Sequence, residues 1–217
     1  MPLRRVAIYG GTFDPVHSGH LTVARQVLQL FELDELVFVP ACVPPHKRNA
    51  SITSAFHRFA MLALATEPDQ RLLISTIELD SPDRPYAVDT VARMQNEAAR
   101  LFFVIGADSW AEITTWYEWE RLLTMCDLIV VTRPGYSLPE PPAAAKVVDV
   151  RGQAPDAIRR VTADENGPRV FITDAVMMDV SATRIREAAK VQDLGVLRSM
   201  VPPAVAEHIE KYKLYGN

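Results

Sequence analysis

The chain of 217 residues is 48% hydrophobic and 23% charged with a formal net charge of −4, a profile that allows one well-cored globular domain. The acidic balance argues against a broad nucleic-acid-binding face, no apolar run approaches membrane-spanning length, and Met1 to Arg5 leads into a strand without a signal-type apolar stretch. Cys42 and Cys126 are too few and too far apart for a disulfide framework or a metal-ligand pattern, so reduced thiols in a cytoplasm are expected.

Strand and helix patterns alternate along the chain. Val6 to Tyr9 reads as a strand, a loop runs from Gly10, and Leu21 to Phe31 reads as a helix with Ala24, Val27 and Phe31 on one stripe. Leu36 to Val39 is a second strand, leading into the proline-stiffened, basic loop Pro40 to Arg48. Ser54 is placed to cap a helix over Ala55 to about Ala65, followed by a strand at Leu72 to Ser75, a loop at Ser81 to Pro85 and a helix at Val88 to Ala99. Leu101 to Ile105 is a continuous apolar run of the kind found in central parallel strands, and it ends in Gly106-Ala107-Asp108. A helix is expected over Trp110 to Leu123 and a strand at Leu128 to Val131. Pro134 to Pro155 is rich in Pro and Ala, with one short strand at Val147 to Val150; Val170 to Ile172 is the last strand. Helices at Ser181 to Ala189, Asp193 to Ser199 and Pro203 to Lys213 close the chain, Pro203 suiting a first helical position. The pattern predicts an α/β, Rossmann-like, doubly wound and mostly parallel sheet. It is expected to form a single domain over 1–217, with a small C-terminal helical region over about 181–217.

The chemistry concentrates in Gly10-Gly11-Thr12-Phe13-Asp14-Pro15-Val16-His17-Ser18-Gly19-His20. A strand, a glycine loop and a helix start form the place where open α/β sheets bind phosphates, because unpaired backbone N–H groups and the helix dipole favour an anion. Glycine lets the backbone come close to a ligand, and Ser18 is placed to cap the helix. His17 and His20, three residues apart, lie on one side of a turn and can donate to phosphoryl oxygens.

His17-Ser18-Gly19-His20 fits the HxGH signature, and Gly10 to Pro15 fits the segment preceding it, so the chain resembles the HxGH nucleotidyltransferase superfamily. Five further segments resemble the bacterial nicotinate-nucleotide adenylyltransferases: Pro44 to Lys47, Tyr86 to Thr90, Gly106 to Ser109 with Trp116-Tyr117, Thr132 to Gly135, and Val180 to Arg186. The similarity runs from residue 6 to Leu214-Tyr215 and leaves 137–168 uninformative.

The resemblance implies transfer of AMP from ATP to nicotinate mononucleotide in NAD biosynthesis, by in-line attack and without a covalent nucleophile. It implies that His17 and His20 are catalytic and bind the triphosphate, His20 stabilising the departing pyrophosphate. Gly10, Gly11 and Thr12 would line the α-phosphate site, with Phe13, Gly19 and Gly106 completing the ATP set. Asp108 would accept from the ribose hydroxyls, while Ser181, Thr183 and Arg186 would hold the outer phosphates. For the acceptor, Trp116 would stack on the pyridine ring. Backbone N–H groups near Tyr86, Ala87 and Tyr117 would take its carboxylate, and His46, Lys47 and Arg133 would take its phosphate. Mg²⁺ would be held mainly through the phosphates of ATP, with few direct protein ligands. The implied partners are thus the two small-molecule substrates, with no nucleic acid and no membrane; a homo-oligomer stays open.

Two positions depart from the family pattern: Ala87 stands where Thr is usual, and Ala182 where Ser is frequent. Ordinary capping also explains Ser181 and Thr183, and packing is a rival role for Trp116. His57 and Arg58 read as structural, Asp14 as support for the loop, and His208 carries no functional argument. Alternative functions are the same transfer to nicotinamide mononucleotide or phosphopantetheine, and a non-catalytic nucleotide-binding regulator.

Overall fold

A computed structural model describes residues 3–42, 52–81, 85–96, 99–132, 137–163, 167–174 and 180–216. The strands are β1 (Arg4–Gly11), β2 (Glu35–Pro40), β3 (Leu72–Ile74), β4 (Ala99–Gly106), β5 (Asp127–Val131), β6 (Val147–Asp149) and β7 (Val170–Thr173). They form one sheet in the order β3-β2-β1-β4-β5-β7-β6. β1 runs parallel to β4 with Tyr9 opposite Val104, β4 to β5 with Ile105 opposite Val130, β5 to β7 with Leu128 opposite Val170, and β6 to β7 with Val148 opposite Phe171. Phe102 to Ile105 and Leu128 to Val130 are buried without alternation, as parallel strands covered on both faces require. From β1 the chain steps outward to β2 and β3, then returns to β4 on the other side of β1. The carboxyl ends of β1 and β4 therefore mark a topological switch point, where open sheets of this kind hold ligands.

The chain gathers into two compact units. One holds Met1–Gly10, Val23–Val37 and Pro85–Met177. In it, α3 (Ala87–Met94) packs on α5 (Trp119–Met125). Arg5 donates to Phe31 O and Thr162 O, and Arg100 donates to Thr162 O and to Asp127. Phe31 follows α1 (Ser18–Leu30) and Thr162 lies in the last turn of α6 (Pro155–Ala163). The two guanidinium groups thus sit at helix C-termini, where cations are favoured, and both lie over the Phe102 ring.

Three helices in this unit differ from the sequence reading. α3 ends at Met94, and Ala99 begins β4 because it pairs with Arg4. The helix expected over Trp110 to Leu123 is broken into α4 (Ala107–Ala111), a 3₁₀ turn (Ile113–Thr115) and α5. Trp110 and Ile113 are fixed in the core, and the Thr115 hydroxyl bonds back to Glu112 O. Trp116 is then extended and Glu118 left-handed, at φ 48°. α6 lies in the segment that looked uninformative, yet it starts on Pro155, follows it with Asp156 and buries Ile158 and Thr162 four residues apart.

The other unit holds Gly11–Thr22, Phe38–Arg84 and Met178–Asn217. α2 (Ala55–Thr66) is capped by the Ser54 hydroxyl, which accepts from His57 N. The C-terminal helices are α7 (Ala182–Lys190), α8 (Leu194–Met200) and α9 (Pro203–Lys211), with Ser181 capping the first and Asp193 the second. α9 packs on α2, so these helices share one unit with the loop after β1. His57, His208 and Tyr212 cluster where α2 meets α9, with 3.1 Å between His57 Nδ1 and His208 Nε2. Among the described residues no helix is long and apolar enough to cross a membrane.

Candidate active site

The loop after β1 is built around three aromatic rings. Phe13, at φ 48°, buries its side chain and meets the His20 ring edge-on at 5.1 Å and Phe38 at 5.4 Å. A Cβ on Gly11 would lie 2.9 Å from the Phe13 ring, and one on Gly19 would lie 3.0 Å from His17 Nδ1. A side chain at Gly11 would force the Phe13 ring to shift, and one at Gly19 would press on the His17 ring, a reason for glycine additional to the approach of a ligand.

The His17 and His20 rings stack at 3.6 Å, and the His17 backbone N–H donates to His20 Nδ1 at 3.2 Å. An Nδ1 that accepts leaves the proton of a neutral imidazole on Nε2. The His17 carbonyl accepts from Leu21 N, the first four-residue bond of α1. His17 is therefore the N-cap, and Ser18, expected in that role, is the first helical residue. His20 at the third position reaches back to the cap N–H, as the acidic residue of a capping box does. Burial pushes His17 down to about 4 from 6.5, and burial followed by the neighbouring His17 holds His20 well below its usual range. Both rings are thus neutral at pH 7. His17 is 8% exposed, and its Nδ1 is buried without a hydrogen-bond partner among the described residues.

A shell of polar groups fixes this loop. Arg58, 1% exposed, donates to Thr12 O at 2.8 Å, Cys42 O at 3.0 Å and Thr53 O at 3.0 Å. Arg186 donates to Asp14 O at 2.8 Å and to Thr183 Oγ1 at 3.2 Å. Val180 approaches Gly19, so the start of α7 lies beside the start of α1. The structure thus brings Gly11, Thr12, His17, Gly19 and His20 together with Ser181, Thr183 and Arg186. It also gives Ser181 a capping bond to Arg184 N, and Arg186 a bracing role.

The unit carrying β4 holds Gly10, Tyr86, Ala87, Gly106, Asp108, Trp116 and Tyr117. A Cβ on Gly10 would lie 3.6 Å from the Phe103 ring, while one on Gly106 would meet nothing within 4 Å. Gly106 precedes α4, whose first turn carries the exposed Asp108. Tyr86 and Tyr117 pair their rings at 4.6 Å, at the start of α3 where Ala87 is the first helical residue. Trp116 is half-buried, edge-on to Phe103 at 6.4 Å, whereas Trp110 lies wholly in the core. His46, Lys47 and Arg133 lie outside the described residues. The contact that sequence reasoning missed is that of Tyr215, whose hydroxyl donates to Asp14 Oδ1 at 2.8 Å. A separation of 201 residues leaves no local pattern to find it by.

The cytidylyltransferase-like family model matches residues 8–188, and the chain belongs to that family. Within it, the chain is 35% identical over 214 residues to a probable nicotinate-nucleotide adenylyltransferase of Thermoanaerobacter sp. (strain X514), covering 97% of this chain and 94% of the relative. It is 34% identical over 208 residues to the one of Corynebacterium jeikeium, covering 95% and 98%. The chain is a member of the nicotinate-nucleotide adenylyltransferases. A solved structure, Plasmodium falciparum nicotinic acid mononucleotide adenylyltransferase complexed with NaAD, aligns at a TM-score of 0.72 over 98% of this chain and 97% of that one. At 19% identity it speaks for the fold alone.

Proposed function

We propose that this enzyme transfers AMP from ATP to nicotinate mononucleotide, releasing pyrophosphate and forming nicotinate adenine dinucleotide. A phosphate oxygen of the mononucleotide attacks the α-phosphorus of ATP. The bond from that phosphorus to the oxygen bridging to the β-phosphate breaks, and the electron pair leaves with pyrophosphate. The observation that carries the reading is the neutral imidazole pair at the start of α1, with a buried, unpartnered His17 Nδ1 and a His20 proton held on Nε2. His20 donates through that Nε2–H to the departing pyrophosphate. Thr12, Phe13 and the Gly10-Gly11 backbone take the α-phosphate side, with Gly19 leaving room for the His17 ring. Ser181, Thr183 and Arg186 take the outer phosphates, and Gly106 and Asp108 take the adenosine.

For the acceptor, Trp116 offers its face to the pyridine ring, and His46, Lys47 and Arg133 supply charge for the phosphate. The Asp89 N–H bonds to Tyr86 O and the Tyr86 N–H to the Asp89 carboxylate, which leaves the N–H groups of Ala87 and Val88 as the donors of the first turn of α3. They favour a carboxylate over a carboxamide, which itself carries N–H groups. Ala87 brings no hydroxyl to that contact, so acid-over-amide preference rests on backbone donors and on Tyr117.

Mg²⁺ takes oxygen ligands, and the site presents imidazoles. Among the described residues no three His, Cys, Asp or Glu side chains form a metal set. This donor set would suit an ion carried on the phosphates of ATP, which would supply neutralisation of charge on the leaving group. The test is pyrophosphate release from ATP and Mg²⁺ with nicotinate or nicotinamide mononucleotide at equal concentration. A strong preference for the acid is expected. Equal use moves the acceptor to dual specificity, and ATP binding without release in any case favours the regulator.

A further inference from the structure

After α9 the chain turns back on itself. Leu214 N bonds to Ile209 O and Gly216 N to Lys213 O, with Lys213 at φ 52° and Tyr215 at φ 67°. Two side-chain-bearing residues are thus held in the left-handed region within three positions, which persists where surrounding contacts determine it. The turn delivers the Tyr215 hydroxyl to Asp14 Oδ1 at 2.8 Å, and burial raises the phenol so that it stays a donor throughout the neutral range. Asp14 is 6% exposed, its other oxygen accepts from Thr53 N at 3.4 Å, and its carbonyl accepts from Arg186. It stands two residues after Thr12, whose carbonyl Arg58 holds, and three before His17. A hydrogen bond to a buried carboxylate is of the stronger, charge-assisted kind.

We propose that Tyr215 is a positioning residue: through Asp14 the chain's last turn locks the loop from Thr12 to His17 in the shape that receives the triphosphate. Its effect on transfer rests on the reading of that loop as the triphosphate site; the lock itself does not. Tyr215 acts through the carboxylate, and its effect falls on ATP use, because the proposed acceptor contacts lie on other elements. Small displacements of groups that orient a reacting centre carry large rate penalties.

Tyr215→Phe keeps the ring and removes the hydroxyl. The expected result is a loss of about tenfold in kcat/KM for ATP, a KM for nicotinate mononucleotide within about twofold of wild type, and a melting temperature within about 3 °C. Amide hydrogen exchange over residues 12–20 should quicken while exchange in β4 and β5 stays at the wild-type rate. Wild-type kcat/KM for ATP in the variant, or unchanged exchange at 12–20, overturns the proposal. So does a loss shared by both substrates with faster exchange throughout, which marks a structural role only. If the wild-type protein releases no pyrophosphate, the triphosphate reading fails, and the exchange experiment still decides the lock.

Discussion

Acid should unfold this protein through the histidines at the start of α1. His17 titrates near 6.5 in the unfolded chain and at about 4 in the fold, because burial opposes its charge. Between those values the unfolded chain holds a proton that the folded one lacks, so stability rises with pH in that window and is lost as pH falls through it. From pH 7 to 4.5 the loss from His17 alone is about 2.5 kcal/mol, and His20, shifted the same way, adds to it. Urea unfolding of the wild type and of His17→Gln across that range measures the difference. Groups that the two proteins share contribute equally to both and cancel in the difference. The variant should lose less stability by about that amount. Parallel pH curves would refute the argument that burial keeps this ring neutral.

Replacing Arg58 by Leu strips the donor from three carbonyls around a buried guanidinium, which should cost about 3–5 kcal/mol. A thermal melt should show a drop of about 10 °C, and a drop below about 3 °C would mean the loop holds without its brace. Gly19→Ala should separate stability from activity. Alanine favours the helix by about 0.5–1 kcal/mol, yet its Cβ presses on His17 Nδ1 at 3.0 Å. Unfolding should show little or no loss while kcat/KM for ATP falls about tenfold.

The stretch from Val6 to Phe31 could be read in the sequence because its signals are local: an apolar run, a glycine loop and two histidines three residues apart. The same holds for Ser54, Asp193 and Pro203, which start helices where their chemistry places them. What escaped is set by distant partners. Ala99 joins β4 because Arg4 lies opposite it, and the break at Trp116 follows from fixing Trp110 and Ile113 in the core. The close approach of rings to Gly11 and Gly19 appears only once Phe13 and His17 are placed. Likewise, the side of His20 that carries its proton depends on one backbone N–H, and the bond from Tyr215 to Asp14 on the way the chain end turns.

β6 lies at the outer edge of the sheet, with β7, β5 and β4 between it and β1. The segment that supplies it and α6 is accordingly the part of the β4-containing unit where length and composition can drift with least consequence for the central strands. Its Pro- and Ala-rich approach, Ser137 to Lys146, is mostly solvent-exposed and free of regular structure. A fluorescent reporter or an affinity handle spliced there would leave the pairing of β4 with β1 and with β5 untouched.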